Sequence, residues 1–218
     1  MKPRVVETNQ GIQGEITTEI YDRFARGMRD RGWNNVDAIL ASGIAGGHVL
    51  ELGPGPGYVG LEWLKKAPGG TLTGCEISPD MIKIAQRNAR EYGLDGRTNY
   101  VEGSVLEMPF PDDSFDAAFS NGSLHEWEDP VLVFREIARV VKPGGTFCVC
   151  DMRRDVNPLI SGAIRRLATP PEMRPGFRTS LAAAYTVAEL RAVLEKTPLR
   201  DADVARDFFG LRVSGRVA

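Results

Sequence analysis

The sequence predicts an α/β fold, a doubly wound, mostly parallel sheet with helices on both faces. Three observations carry this. Short apolar segments alternate with longer helical ones from His48 to Asp151, the pattern of repeated strand–helix units. A glycine-rich loop, Gly53-Pro54-Gly55-Pro56-Gly57, separates the first apolar run from the helical segment 58–66. Two late apolar segments, 199–207 and 209–216, leave no room for a helix between them, so they must pair antiparallel.

Taken in order, residues 1–14 are polar and glycine-dotted and read as a mobile start. Ile20, Phe24 and Met28 recur at helical spacing within 16–44, and a break at Gly32-Trp33-Asn34 divides that stretch into two helices. Strands are expected at 47–52, 71–76, 97–102, 115–120 and 144–151, followed by the late pair. Ser78 before Pro79 and Asp129 before Pro130 are helix starts, each with a capping side chain and proline as first helical residue. Thr186 and Glu189 form a capping box ahead of a helix over 190–196. Between them, 152–185 reads as an irregular, proline-rich connection, long enough to be a lid over a pocket.

The glycine loop marks a binding site. Glycine adopts positive φ and lets a ligand lie against the backbone, and open sheets bind at such strand-to-helix turns. Glu76 ends the next apolar segment, nineteen residues past Gly57, where a carboxylate accepts both ribose hydroxyls of an adenosine. That carboxylate fits a nicotinamide dinucleotide or S-adenosylmethionine equally. The glycine spacing separates them. A pyrophosphate loop reads G-x-G-x-x-G, whereas this one reads G-x-G-x-G from Gly53. Glu51, two residues upstream, suits the ammonium and sulfonium of S-adenosylmethionine better than a pyrophosphate.

The run Glu51-x-Gly53-x-Gly55-x-Gly57 resembles the first motif of the class I S-adenosylmethionine-dependent methyltransferases. Further segments resemble later motifs in family order: Cys75-Glu76-Ile77-Ser78-Pro79-Asp80-Met81, the run from Met108 to Asp116, Ser123-Leu124-His125-Glu126-Trp127-Glu128-Asp129-Pro130, and the turn from Arg139 to Gly145. The likeness spans about 47–151 and is greatest to the ubiquinone/menaquinone-biosynthesis branch. It implies a Rossmann-like seven-stranded sheet with an antiparallel C-terminal strand, an N-terminal helical cap over 1–46, and a methyltransferase domain over 47–218 with a lid-like insertion at 152–185. It also implies S-adenosyl-L-methionine as cofactor, S-adenosyl-L-homocysteine as product, and in-line methyl transfer to a small-molecule acceptor. Glu51, Gly53, Gly55 and Gly57 would serve the methionine half, Glu76 the ribose, Ser104 and Val105 the adenine, and Asn121 the neighbourhood of the methyl donor, with Ile77 a further cofactor-binding residue. Ser104 departs from the family, which often has aspartate there. A serine hydroxyl still accepts, but is shorter and uncharged.

Acceptor residues are less marked. His125 can take a proton from an attacking phenol, thiol or enol, or can hold the loop by hydrogen bonding. Arg153 and Arg154 follow the fifth strand, where they suit an anionic acceptor or pair with Asp151 or Asp155. Arg165, Arg166, Arg174 and Arg178 add positive charge to the same stretch. Tyr21 and Tyr185 are lid tyrosines or core residues.

Composition narrows the class. The chain has 218 residues, 42% hydrophobic, with a formal net charge of −2, which argues against a surface dedicated to nucleic acid. No apolar run reaches the ~20 residues of a membrane span, and Met1-Lys2-Pro3-Arg4 lacks the apolar stretch of a signal peptide. A cytoplasmic monomer or homodimer, with neither nucleic-acid nor membrane partner, is expected. No metal is expected: the three cysteines lack zinc spacing, and Cys148 and Cys150, two apart on a strand, are either a soft-metal thiol pair or small apolar core residues. An RNA or protein methyltransferase and a non-catalytic S-adenosylmethionine-binding module remain as alternatives. A nicotinamide oxidoreductase would need a second nucleotide-binding half, and no further βαβ unit remains for it.

Overall fold

The computed structural model describes residues 4–5, 14–167 and 170–218. The polar start read at 1–14 lies, apart from Arg4, Val5 and Gly14, outside the described residues. Seven strands form one sheet in the order β3-β2-β1-β4-β5-β7-β6. They are β1 (His48–Leu52), β2 (Thr71–Glu76), β3 (Thr98–Glu102), β4 (Phe115–Asn121), β5 (Val141–Met152), β6 (Asp203–Arg206) and β7 (Gly210–Arg216). β3, β2, β1, β4 and β5 pair in parallel. β7 runs antiparallel to both β5 and β6, as the short connection requires.

The helices are α1 (Glu15–Asp30), α2 (Val36–Ala41), α3 (Tyr58–Lys66), α4 (Pro79–Glu91), α5 (Pro130–Val140), α6 (Pro158–Leu167), α7 (Arg174–Ala183) and α8 (Val187–Leu194). Their starts follow local chemistry. Ser78 Oγ accepts from Met81 N–H, and Asp129 accepts from Val131 and Leu132 N–H. Thr186 and Glu189 close a reciprocal capping box.

Strand periodicity of two sorts the side chains between the faces. Leu50, Leu52, Ala118, Phe147 and Val149 join the core under α5 and α8. Val49, Ala117, Phe119, Cys148 and Cys150 join Trp63 and Leu64 of α3 and Val36 and Ile39 of α2 on the other. Cys148 and Cys150 are buried among these apolar groups with their sulfurs 3.8 Å apart. Leu61, Ala85, Ala89 and Tyr100 form a third cluster under α4.

Two expectations are corrected. The stretch 152–185 is not irregular: it holds α6, a one-turn 3-10 helix at Pro171–Met173, and α7. Its prolines do not break helices because Pro158 opens α6 and Pro175 sits in the first turn of α7, where no N–H is needed. The late strand expected at 199–207 is shorter, because turns occupy its start and β6 pairs with β7 only from Asp203.

Candidate active site

Strand order reverses between β1 and β4, and open sheets bind ligands in the crevice beyond such a switch point. The loop after β1 descends into this crevice with Gly53, Gly55 and Gly57 all at positive φ (63°, 52° and 83°). Sterics add to the requirement. A Cβ on Gly53 would lie 2.6 Å from Ser123 Oγ, and one on Gly57 would lie 2.8 Å from Tyr100 Oη. The loop is fastened by Gly53 N–H donating to Cys75 O (2.9 Å) and by Asn88 Nδ2 donating to Pro56 O (2.9 Å).

Glu76, at the C-terminal end of β2, is 6% exposed. Its carboxylate accepts from Gly55 N–H and Ser78 N–H, each at 3.0 Å. Burial pushes the carboxyl above the ordinary glutamate range, while the N–H groups of Ser78, Gly55 and Ile77 pull it back. The bonds fix the head group on the crevice wall and stiffen the loop it faces. Ile77 beside it is an exposed apolar side chain on the same wall. After β3, Ser104 Oγ accepts from Leu106 N–H (3.2 Å), shaping a turn that presents Ser104, Val105 and Leu106.

These residues line one cavity of about 550 Å³, within the size range of cofactor and ligand sites. Gly53, Gly55, Glu76, Ile77, Ser104, Val105 and Asn121 line it. Tyr21, Phe24 and Met28 of α1 line it too, as do Ile164, Met173, Phe177 and Phe209. Phe177 of α7 and Phe209 stack with planes 11° apart and centroids at 6.2 Å. Tyr21 passes over Gly55, whose added Cβ would lie 3.7 Å from the ring edge. Burial and the nearby Glu126, Glu76 and Asp151 keep its phenol protonated. Asn121 Oδ1 accepts from Asn35 Nδ2 at 2.8 Å, tying the end of β4 to the start of α2.

His125 also lines the cavity and is 4% exposed. Its Nδ1 lies 2.9 and 3.0 Å from the two carboxylate oxygens of Asp151, and its backbone N–H donates to Asp151 Oδ2 at 2.8 Å. Nothing local in the sequence pairs Asp151 with His125, because it sits 26 residues away, near the end of β5. Only the β4–β5 pairing brings it alongside the loop after β4.

Other expected site residues fall elsewhere. Glu51 does not line the cavity. It is 2% exposed beneath the loop, against α3, where a Cβ on Gly60 would lie within 2.3 Å of its Oε2. Burial raises its carboxyl to about 8. Gly57 likewise sits behind the wall, as the left-handed cap of α3. Arg153 Nη1 pairs with Asp155 Oδ1 at 2.7 Å, and Arg154 pairs with Glu189 and donates to Ala184 O. Neither arginine lines the cavity, because the capping box of α8 and the turn after β5 take up their charge. Tyr185 is 6% exposed in the main core, under the Arg4 guanidinium at 4.2 Å. Among the described residues, Arg29 is the one arginine on the cavity wall, and it pairs with Asp30, whereas Glu126, Glu128 and Glu172 share that wall.

An S-adenosylmethionine fits this donor set. A fixed carboxylate would take the ribose hydroxyls, an open glycine backbone the amino-acid half, and the Ile77 and Ser104–Leu106 walls the adenine. The sheet order and crevice are those expected from the resemblance to the class I S-adenosylmethionine-dependent methyltransferases, and the comparisons point the same way. Residues 50–149 match the family model described as methyltransferase domain. A demethylmenaquinone methyltransferase of Thermus thermophilus is 33% identical over 61% of this chain and 60% of its own. A 2-phytyl-1,4-naphtoquinone methyltransferase of Synechococcus elongatus is 31% identical over 66% of this chain and 62% of its own. The chain thus spans less than two thirds of these relatives. A solved structure from Methanococcus maripaludis, assigned as an S-adenosyl-L-methionine-dependent methyltransferase, shares the fold at TM-score 0.76 and 22% identity, over 96% of this chain and 95% of that one. Residues 50–149, a little under half of the chain, are thus similar to the methyltransferase-domain family, and the chain as a whole shares the fold of that solved structure.

Proposed function

We propose that this protein transfers a methyl group from S-adenosylmethionine to a small-molecule acceptor held in the apolar end of the cavity. The observation that supports the reading is that Gly53, Gly55 and Glu76 line the same cavity as the aromatic side chains Tyr21, Phe24, Phe177 and Phe209. When bound, the cofactor supplies a methyl group activated on a sulfonium. Glu76 would fix the ribose, Gly53 and Gly55 would admit the amino-acid half, and Asn121 would border the transfer point. Tyr21, Phe24, Phe177 and Phe209 would exclude water and hold an acceptor for in-line attack. Such alignment contributes roughly 7–11 kcal/mol to a bimolecular transfer. His125 is the base for acceptors that must lose a proton.

The wall also bears on the acceptor. With Arg153 and Arg154 turned away and Glu126, Glu128 and Glu172 present, it favours an apolar aromatic acceptor over the anionic one expected from the sequence. The two relatives are named for quinone substrates, which are of that kind. The test is transfer from methyl-labelled S-adenosylmethionine to panels of quinols, phenols, carboxylated phenols and thiols. The expected result is selective labelling of an uncharged aromatic acceptor, abolished by Glu76→Ala. Cofactor binding with no transfer to any panel member would favour the non-catalytic binding module.

A further inference from the structure

We propose that Arg4 is a positioning residue, a latch that holds α7 to the loop after β4 and so sets how fast ligands exchange with the cavity. Its effect on exchange rests on the methyl-transfer reading of that cavity, whereas the latch stands on the contacts alone. Both segments that it joins line the cavity, α7 through Gly176, Phe177 and Ser180 and the loop through His125, Glu126 and Trp127.

α7 has little else to hold its C-terminal end. Among the described residues of α7, Ala183 alone is buried, and an element with few buried apolar contacts opens locally at low cost. The last carbonyls of a helix also lack partners within it. Residues 4 and 5 supply them here. Val5 N–H donates to Ala182 O at 3.2 Å, and Arg4 Nε donates to Ala183 O. A cation is favoured at this end of a helix by the backbone dipoles. The same guanidinium donates through Nη2 to His125 O at 2.9 Å, and its Cζ stands 4.2 Å from the centroid of the Tyr185 ring. One planar fork therefore bridges two distant wall segments while stacking on a buried aromatic. A lysine ammonium is a point donor and does not keep all three contacts. The next carbonyl, Ala184 O, is held by Arg154, whose backbone N–H also donates to Tyr185 O at 3.3 Å. That second anchor remains when Arg4 is removed, so its loss frees the helix and not the domain.

The first test uses no ligand. Native-state hydrogen exchange is compared in the wild type, Arg4→Ala and Arg4→Lys. Loss of a charge-assisted hydrogen bond is expected to lower the protection of α7 amides by about tenfold or more in Arg4→Ala. Protection in α4 and β4 should stay unchanged, and Arg4→Lys should fall in between. Unchanged protection of α7 overturns the latch. So does an equal loss throughout the sheet, or failure of Arg4→Ala to fold, because Arg4 would then be a general determinant of stability. The second test follows release of S-adenosylhomocysteine by stopped-flow tryptophan fluorescence, since Trp33 and Trp127 line the cavity. Arg4→Ala is expected to raise the dissociation and association rates together, each by about tenfold, so that Kd moves less than either rate. Rates equal to the wild type's, with α7 freed, would overturn the control of exchange. Failure of the wild type to bind S-adenosylhomocysteine would instead fall on the methyl-transfer reading and leave the hydrogen-exchange result standing.

Discussion

Asp22→Ala tests how the roof of the cavity is attached. α1 supplies Tyr21, Phe24 and Met28 to the site, and Asp22, on the same helix, is 1% exposed. Its Oδ1 accepts from Tyr58 Oη and from Asn88 Nδ2, both at 2.9 Å, joining α1 to α3 and α4. Its Oδ2 takes Arg87 Nη2 at 3.0 Å and Arg26 Nη2 at 3.3 Å. Tyr58 and Asn88 are buried, so alanine leaves two donors without an acceptor, at about 1–3 kcal/mol each. Arg87 and Arg26 are 35% and 43% exposed and are solvated instead, adding little. The sum is about 2–6 kcal/mol. At this chain length that lowers Tm by roughly 4–24 °C. Urea denaturation followed by tryptophan fluorescence reads the stability, and the acceptor KM reads the roof. Asp22→Asn, which retains one carbonyl acceptor, should fall between the two. An alanine variant within about 0.5 kcal/mol of wild type, the range of an ordinary surface change, would refute the claim that this network docks α1.

Three further outcomes are expected. Burial raises the Glu51 carboxyl from 4.5 to about 8, so the folded state holds a proton that the unfolded state loses first. The associated stability is present below pH 4.5 and lost as pH rises towards 8, at up to about 1.4 kcal/mol per pH unit. Glu51→Gln should therefore gain on wild type between those limits in parallel denaturation series, and identical pH slopes would contradict it. Gly53→Ala forces a side chain into φ 63° and its Cβ to 2.6 Å from Ser123 Oγ. It should cost at least about 1–2 kcal/mol and weaken S-adenosylhomocysteine binding by calorimetry, whereas Gly69→Ala, whose Cβ meets nothing within 4 Å, should not weaken that binding. Phe209→Ala removes half of the Phe177 stack at the acceptor end, so it should raise acceptor KM and leave cofactor affinity within about twofold, each measured by titration.

The elements around the glycine loop and Glu76 were legible because their signals are local. Gly57 and Ala67-Pro68-Gly69-Gly70 bracket α3, so its limits follow from loop chemistry alone. Ser78, Asp129 and Thr186 cap the helices that their spacing predicts. Glu76 lies on the cavity wall because a strand end and a helix cap fix it there. The rest of the cavity depends on pairs far apart in sequence. Asp151 meets His125 through strand order, and Phe177 meets Phe209 across a helix and a hairpin. Arg154 turns from the cavity because Glu189 arrives from α8. Charge and position next to a strand end gave Arg153 and Arg154 the profile of site residues, yet a partner two residues on in one case and 35 in the other decides their orientation. Glu51 carried a motif's acidic position, but in a strand inside the sheet its side chain faces α3 and not the crevice.

The most direct test of the account is calorimetric titration of the wild type and Glu76→Ala with S-adenosylmethionine, S-adenosylhomocysteine and NAD. Glu76 would bond two ribose hydroxyls from a 6% exposed position, and charged hydrogen bonds contribute about 1.5–3 kcal/mol each. Micromolar binding of both sulfur ligands to the wild type is expected, at least about a hundredfold weaker in the variant, with no binding of NAD. Equal affinities in the two proteins, or clear NAD binding without the sulfur ligands, would contradict it.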